Sequence, residues 1–270
     1  MAIRIDSRWA RTKLVAAAMT TSLLCAGLHA GVPLSNDQSM AFARARVHDD
    51  FVAAVDSSRP LAYYRLNAMS GNSRSGATHY KALGGVRIAK PGAPINVGGN
   101  RFANLDGLDG YIETTQAGGI GKAASMMAWA NLAVLPSTAN HFFYVMGESE
   151  NGNDLDLQFE DDNALKFYTA GGSHLTFTPK PSTLTNQWHM IVVTVNTATK
   201  ARVIYWDGDE VASDKGGGMP NKTAMLSIGK SPVFGGRFFN GGIEEAALWN
   251  RALSDDEVSK IYAASQNGAH

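Results

Sequence analysis

Apolar positions change their period along the chain, and each change marks an element. From Ser35 to Val55 the residues Met40, Ala43, Val47, Phe51 and Val55 recur three and four apart, the spacing of one helix face. Ser35 followed by Gln38 makes a capping box, and Asp37 suits the positive end of the helix dipole. After Asp56-Ser57-Ser58-Arg59-Pro60 the pattern shortens to runs of β-branched and aromatic residues divided by Gly, Asn, Asp and Pro. These runs predict strands at Leu61–Leu66, Phe102–Leu105, Tyr111–Thr114, Ser125–Leu132, Phe142–Met146, Leu155–Phe159 and Leu165–Thr169. Further strands are predicted at Leu175–Thr178, Trp188–Val195, Arg202–Trp206, Met225–Ile228 and Gly242–Trp249, with a short one around Glu210–Ala212. The segment Trp188–Val195 is apolar on both alternating faces, so it belongs at the centre of a sheet covered on both sides. Asp207-Gly208 is a hairpin turn, because glycine accepts the positive φ that a type I′ turn needs. Ser254-Asp255-Asp256-Glu257 opens a last helix whose apolar face is Val258, Ile261 and Tyr262.

About a dozen short strands between two terminal helices predict an all-β fold, an antiparallel two-sheet jelly-roll sandwich, residues 60–270, preceded by a helical segment and linker at 31–59. No repeat of 20 to 50 residues is present, which disfavours a propeller or solenoid.

The first thirty residues follow a different pattern. Arg4, Arg8, Arg11 and Lys13 precede an almost uncharged run from Leu14 to Leu28, the arrangement of a secretory signal peptide cleaved near Ala30-Gly31. The run is interrupted by Thr20, Thr21 and Ser22 and is too short for a membrane span. Lipid anchoring at Cys25 is disfavoured by the bulky Leu23-Leu24 before it. The expected location is therefore secreted or periplasmic. Over 270 residues the chain is electrically neutral, with 24 Lys plus Arg and 24 Asp plus Glu. Removing residues 1–30 takes four basic residues and one acidic residue, which leaves 20 basic and 23 acidic, a net charge of −3. That balance argues against nucleic acid as a partner. It also removes the single cysteine, so a large core or a bound metal must supply the stability.

A collinear set of segments then carries a resemblance. Pro60-Leu61-Ala62-Tyr63-Tyr64-Arg65-Leu66 is followed by Asn104-Leu105-Asp106-Gly107-Leu108-Asp109-Gly110-Tyr111-Ile112 and Ala128-Trp129-Ala130. Next come Trp188-His189-Met190-Ile191-Val192-Val193-Thr194 and Tyr205-Trp206-Asp207-Gly208. Leu226-Ser227-Ile228-Gly229 and Gly242-Ile243-Glu244-Glu245-Ala246-Ala247-Leu248-Trp249-Asn250-Arg251-Ala252-Leu253-Ser254 complete the set. Over about residues 51 to 264 the chain resembles laminin G-like, concanavalin A-like jelly-roll domains of the pentraxin superfamily. The resemblance implies a sandwich that hosts lectins, adhesive modules and enzymes, so function rests on particular residues.

Asp154, Asp156, Gln158 and Glu160 share one strand face, which is similar to the acidic strand of retaining β-glucanases on this sandwich. The catalytic alternative is therefore a polysaccharide-active hydrolase using Asp156 and Glu160. The pattern departs from that of those enzymes in its first aspartate and in the intruding Gln158, and a water-facing outer strand face is the preferred expectation. The strand motif of alginate lyases on a similar sandwich is absent, and the histidines stand singly rather than at zinc spacing. The resemblance further implies calcium. Asp106 and Asp109 in one Gly-rich loop, with Glu244 or Glu245, are the candidate ligands of one Ca²⁺, whereas Lys230-Ser231-Pro232 stands where pentraxins carry a second acidic group. For a ligand the candidates are loop aromatics and polar groups: His141, Phe234, Arg237, Phe238 and Asn240, with Phe238 or Phe239 alternatively plugging the core. The expected function is a non-catalytic module binding an extracellular glycan or protein. A structural envelope protein without a small ligand is the remaining alternative.

Overall fold

The computed structural model describes residue 35 and residues 50–93, 100–117, 120–150, 155–170, 173–218 and 224–266. The expected signal peptide, Cys25, most of the first helix and Asp154 lie outside them. Sixteen strands are described: β1 (Ala62–Tyr64), β2 (Ser70–Asn72), β3 (His79–Leu83), β4 (Arg87–Ala89), β5 (Phe102–Asp106), β6 (Tyr111–Ala117), β7 (Ala123–Leu132), β8 (Phe143–Gly147), β9 (Asp156–Phe159), β10 (Leu165–Thr169), β11 (Ser173–Phe177), β12 (His189–Asn196), β13 (Ala201–Trp206), β14 (Asp209–Asp214), β15 (Met225–Ile228) and β16 (Asn240–Trp249). Helix α1 covers residues 50–57, followed by α2 (Pro136–Ala139), α3 (Pro181–Leu184) and α4 (Asp255–Gln266).

Two antiparallel sheets form the sandwich. The first runs β14-β13-β12-β7-β16-β5-β4 with β1 also paired to β16, and the second runs β11-β10-β9-β8-β15-β6-β3-β2. Period-two alternation sorts the side chains. On β12, Ile191, Val193 and Val195 enter the core between the sheets, while Met190 and Val192 join a second cluster on the opposite face of the first sheet. That second cluster is closed by the two flanking helices: Phe51 and Val55 of α1 and Val258 and Ile261 of α4 lie with Trp129, Met190, Val192 and Trp249. The Trp129 ring is met edge-on by Phe51 at 6.2 Å and stacked by Tyr262 at 6.1 Å. The end of the first helix therefore docks on its own sandwich.

The punctuation residues behave as their chemistry dictates. Asp207 and Gly208 take φ of 53° and 89° and join β13 to β14. The Ser254 N–H donates to Glu257 Oε2 at 3.0 Å and the Glu257 N–H to Ser254 Oγ at 3.3 Å, closing the capping box of α4. All the expected strands form. Three short ones, β2, β3 and β4, are additional.

Candidate functional site

Three connections converge at one edge of the sandwich. The β5–β6 turn is built by Asp106, whose Oδ1 accepts the N–H groups of Leu108 at 2.9 Å, Asp109 at 3.2 Å and Gly110 at 3.0 Å. Desolvation opposes the charge, but those donors outweigh it and hold the Asp106 carboxyl below its usual range. Asp109 Oδ1 takes the Gly85 N–H at 2.7 Å, so the second aspartate ties this turn to the β3–β4 turn. Leu108 is left at the tip, 76% exposed.

The opposite wall comes from the segment between α2 and β8 and from the β15–β16 connection. Asn140 adopts φ 51°, ends α2 and turns the chain into His141. Within the β15–β16 connection Lys230 pairs with Phe238 in an antiparallel bridge, and the Phe239 N–H donates to Gly229 O at 2.8 Å. Of the two candidate phenylalanines, Phe239 is fully buried against Phe143 with ring centroids 6.1 Å apart, which leaves Phe238 half-buried at the surface. A cleft of about 400 Å³ results, lined by Asp106, Gly107 and Leu108 on one side and by His141, Phe238 and Asn240 on the other.

Two cations flank it. The Arg237 guanidinium lies 4.0 Å from the Phe234 ring centre and 4.7 Å from that of Phe142, and its Nη1 donates to Gln158 Oε1 at 3.1 Å. Lys230 Nζ sits 4.4 Å above Tyr111 and 5.6 Å from Phe238. Of the expected ligand residues, His141, Phe238 and Asn240 thus line the cleft, while Phe234 and Arg237 form a stack beside it.

The acidic strand face is not solvated as expected. Asp156 and Gln158 are inaccessible and Glu160 is 7% exposed, because polar groups of neighbouring strands meet them across the outer face of the second sheet. Asp156 Oδ1 accepts hydrogen bonds from the Tyr144 hydroxyl and from Ser149 Oγ at 2.6 Å. Glu160 accepts from Tyr168 at 2.6 Å, from Gln158 Nε2 at 3.1 Å and from the Lys166 ammonium. Desolvation acts against the Glu160 charge, but Lys166, Tyr168 and Gln158 prevail and keep it ionised more readily than a free glutamate. Asp156 and Glu160 are thus each engaged by their own set of neighbours, Tyr144 and Ser149 for the first and Lys166, Tyr168 and Gln158 for the second.

The three expected metal ligands do not converge either. Asn240 is opposite Asp106 in the register, so Glu244 lies four residues, about 13 Å, along β16 from the loop. Glu244 is buried, accepts the Ala93 N–H and Asn100 Nδ2 at 3.1 Å, and is pushed well above the usual carboxylate range by burial and then by the charge of Glu245. Glu245, at φ 53° in the β16 bulge, is held by the Tyr63 hydroxyl and by Arg65 Nε at 3.3 Å. Among the described residues, no group of three or more His, Cys, Asp or Glu is arranged to hold a metal ion.

One buried acid escaped the sequence reading altogether. The Glu148 N–H donates to Leu155 O at 3.0 Å, which places Glu148 opposite Leu155 and hence on the side facing the inter-sheet core. Its carboxylate is inaccessible and neither oxygen has a hydrogen-bond partner, so burial pushes its pKa up to about 8. No alternation marks it, because it follows the last residue of β8.

Comparison with known proteins follows the same lines. A family model of the laminin G type, described as the concanavalin A-like lectin/glucanases superfamily, matches residues 105–259. A comparison with curated proteins finds no match. Among solved structures, the receptor binding domain of botulinum neurotoxin C/D mosaic serotype is similar at 13% identity and a TM-score of 0.59, over 76% of this chain and 51% of that one. The botulinum neurotoxin serotype D binding domain gives 13% identity and a TM-score of 0.58, again over 76% and 51%. The chain spans about half the length of these solved chains, and at this identity the likeness is one of fold. Among the described residues no helix is long and apolar enough to cross a membrane.

Proposed function

The chain belongs to the concanavalin A-like lectin/glucanase superfamily, and from that premise we propose that it is a non-catalytic module that binds a saccharide in the cleft between Leu108 and Phe238. The observation that carries this reading is the composition of the cleft. Phe238 offers an aromatic face, Asn240 and His141 offer directional hydrogen-bonding groups, and Leu108 offers an exposed apolar tip. A concave site with a few convergent polar groups, on loops fixed by a rigid scaffold, is how such folds gain binding without altering their core. The receptor-binding domains that share the fold support a binding role for the same scaffold. The charged run before Leu14 supports export to the periplasm or beyond, where glycans are met.

A glycan array followed by calorimetric titration of the best hit tests the proposal. Phe238→Ala is expected to weaken binding about tenfold or more, and Asn240→Ala to weaken it further in combination. Binding that survives both substitutions overturns the assignment of the cleft. Release of reducing sugar that disappears in Glu160→Gln overturns the non-catalytic reading.

A further inference from the structure

Among the described residues, every Lys or Arg that is not exposed pairs with a carboxylate except the two cations beside the cleft. Arg65 pairs with Glu245, Arg74 with Asp56, Lys166 with Glu160, Arg202 with Asp214 and Arg251 with Glu257. Among the described residues, no carboxylate lies within ion-pair distance of Arg237 or Lys230. Arg237 is clasped between Phe234 and Phe142, Lys230 is poised over Tyr111 and Phe238, and both side chains are half-buried. Among the described residues the Arg237 guanidinium gives only Nη1, to the fully buried Gln158, so the edge formed by Nε and Nη2 keeps its donors. That edge is the fork that meets a carboxylate or sulfate with two parallel hydrogen bonds. Asp106 is the one acid lining the cleft, and its Oδ1 is already engaged by three backbone N–H groups.

Resting on the saccharide reading of the cleft, we infer that its ligand is an acidic saccharide, with a ring against Phe238 and an anionic substituent received by Arg237 and Lys230. Gln158 is a positioning residue, since its Nε2 is spent on Glu160 and its Oε1 fixes the guanidinium. With equal numbers of acidic and basic residues the chain has no general attraction for anions, so selectivity of this kind has to come from the local pair.

Titration calorimetry with an oligoglucuronate, a sulfated oligosaccharide and the neutral gluco-oligosaccharide of the same length and linkage provides the test. The two anionic arms tell a carboxylate from a sulfate. The preferred anionic sugar is expected to bind about tenfold or more tighter than the neutral one, and the ratio to shrink when salt is raised to about 0.5 M. Arg237→Gln and Lys230→Gln should each bring that ratio toward one, and Arg237→Lys should retain part of it, with thermal melts confirming that each variant is folded. Equal affinity for neutral and anionic sugars, both weakened by Phe238→Ala, overturns this inference and leaves the cleft assignment standing. Binding of none of the three sugars, with capture of an acidic peptide instead, overturns both.

Discussion

Glu148 makes the stability of the sandwich depend on pH in a direction opposite to that of most carboxylates. Its folded pKa of about 8 stands against the ordinary 4.5, so between those values the folded chain keeps a proton that the unfolded chain releases. Stability from this group is complete below about pH 4.5, falls as pH rises, and levels off above about pH 8. At about 1.36 kcal/mol per pH unit the loss is about 3 kcal/mol by pH 7 and about 4 kcal/mol by pH 8. Glu148→Gln removes the titration. The amide is as poorly partnered as the acid it replaces, but that cost does not vary with pH, so it only offsets the curve. Urea unfolding followed by tryptophan fluorescence at pH 5, 6, 7 and 8 is expected to show the variant gaining on the wild type by about 1 kcal/mol per pH unit. Glu244, raised for a similar reason, is present in both proteins and cancels. Glu257, lowered to about 2 chiefly by its hydrogen bonds with Arg251, contributes stability that is present above about pH 4.5 and lost as pH falls toward 2, outside this window. A difference between variant and wild type that stays flat from pH 5 to 8 refutes the account.

Other outcomes follow from single contacts. Asp106→Ala leaves three backbone donors of the β5–β6 turn without their acceptor and is expected to cost about 1–3 kcal/mol in chemical denaturation, with loss of saccharide binding in the same titration. Because Asp106 serves those donors and Glu244 is remote from it, excess chelator is expected to leave the melting temperature unchanged, and a fall would show a bound ion. Gly241 has φ 138° and a Cβ there would stand 2.0 Å from Asn131 O, so Gly241→Ala is expected to lower stability by about 3 kcal/mol or more in the same urea assay. Ser254→Ala removes the N-cap of α4 and is expected to cost about 1 kcal/mol, read as a fall of about 2–4 °C in melting temperature.

What the sequence disclosed and what it hid divide along a physical line. The two apolar faces of Trp188–Val195 disclosed β12 as a central strand, because the period of two is local. The capping box and the Asp-Gly turn were equally local and both form. Strands β2 and β4 were silent because three residues such as Ser70-Gly71-Asn72 carry no periodicity, and only their partners in the sheet make them strands. The acidic face of β9 was misjudged for a related reason. An alternating acid points to water unless its neighbours supply partners, and here Lys166 and Tyr168 on β10 and Tyr144 on β8 supply them, 6 to 12 residues away. The expected metal set failed on register: Asp106 and Glu244 are near in the sheet order but about four residues out of step.

The site itself follows from which sheet faces remain free. Two of the four faces of the sandwich are turned inward, and a third is covered by α1 and α4 through Phe51, Val55, Val258 and Ile261. The outer face of the second sheet is left, together with the turns at its edge. There the inward residues Leu157, Phe159, Leu165 and Phe167 secure the core while the outward Gln158, Lys166 and Tyr168 are free to carry polar chemistry. The β15–β16 connection lies against that face, anchored by Phe239 in the core and by Arg237 on Gln158. A ligand held at Phe238 therefore meets a loop fixed at two points, so little ordering entropy is left to be lost on binding. That rigidity is what makes a charge preference at Arg237 and Lys230 measurable as a ratio of affinities rather than blurred by loop rearrangement.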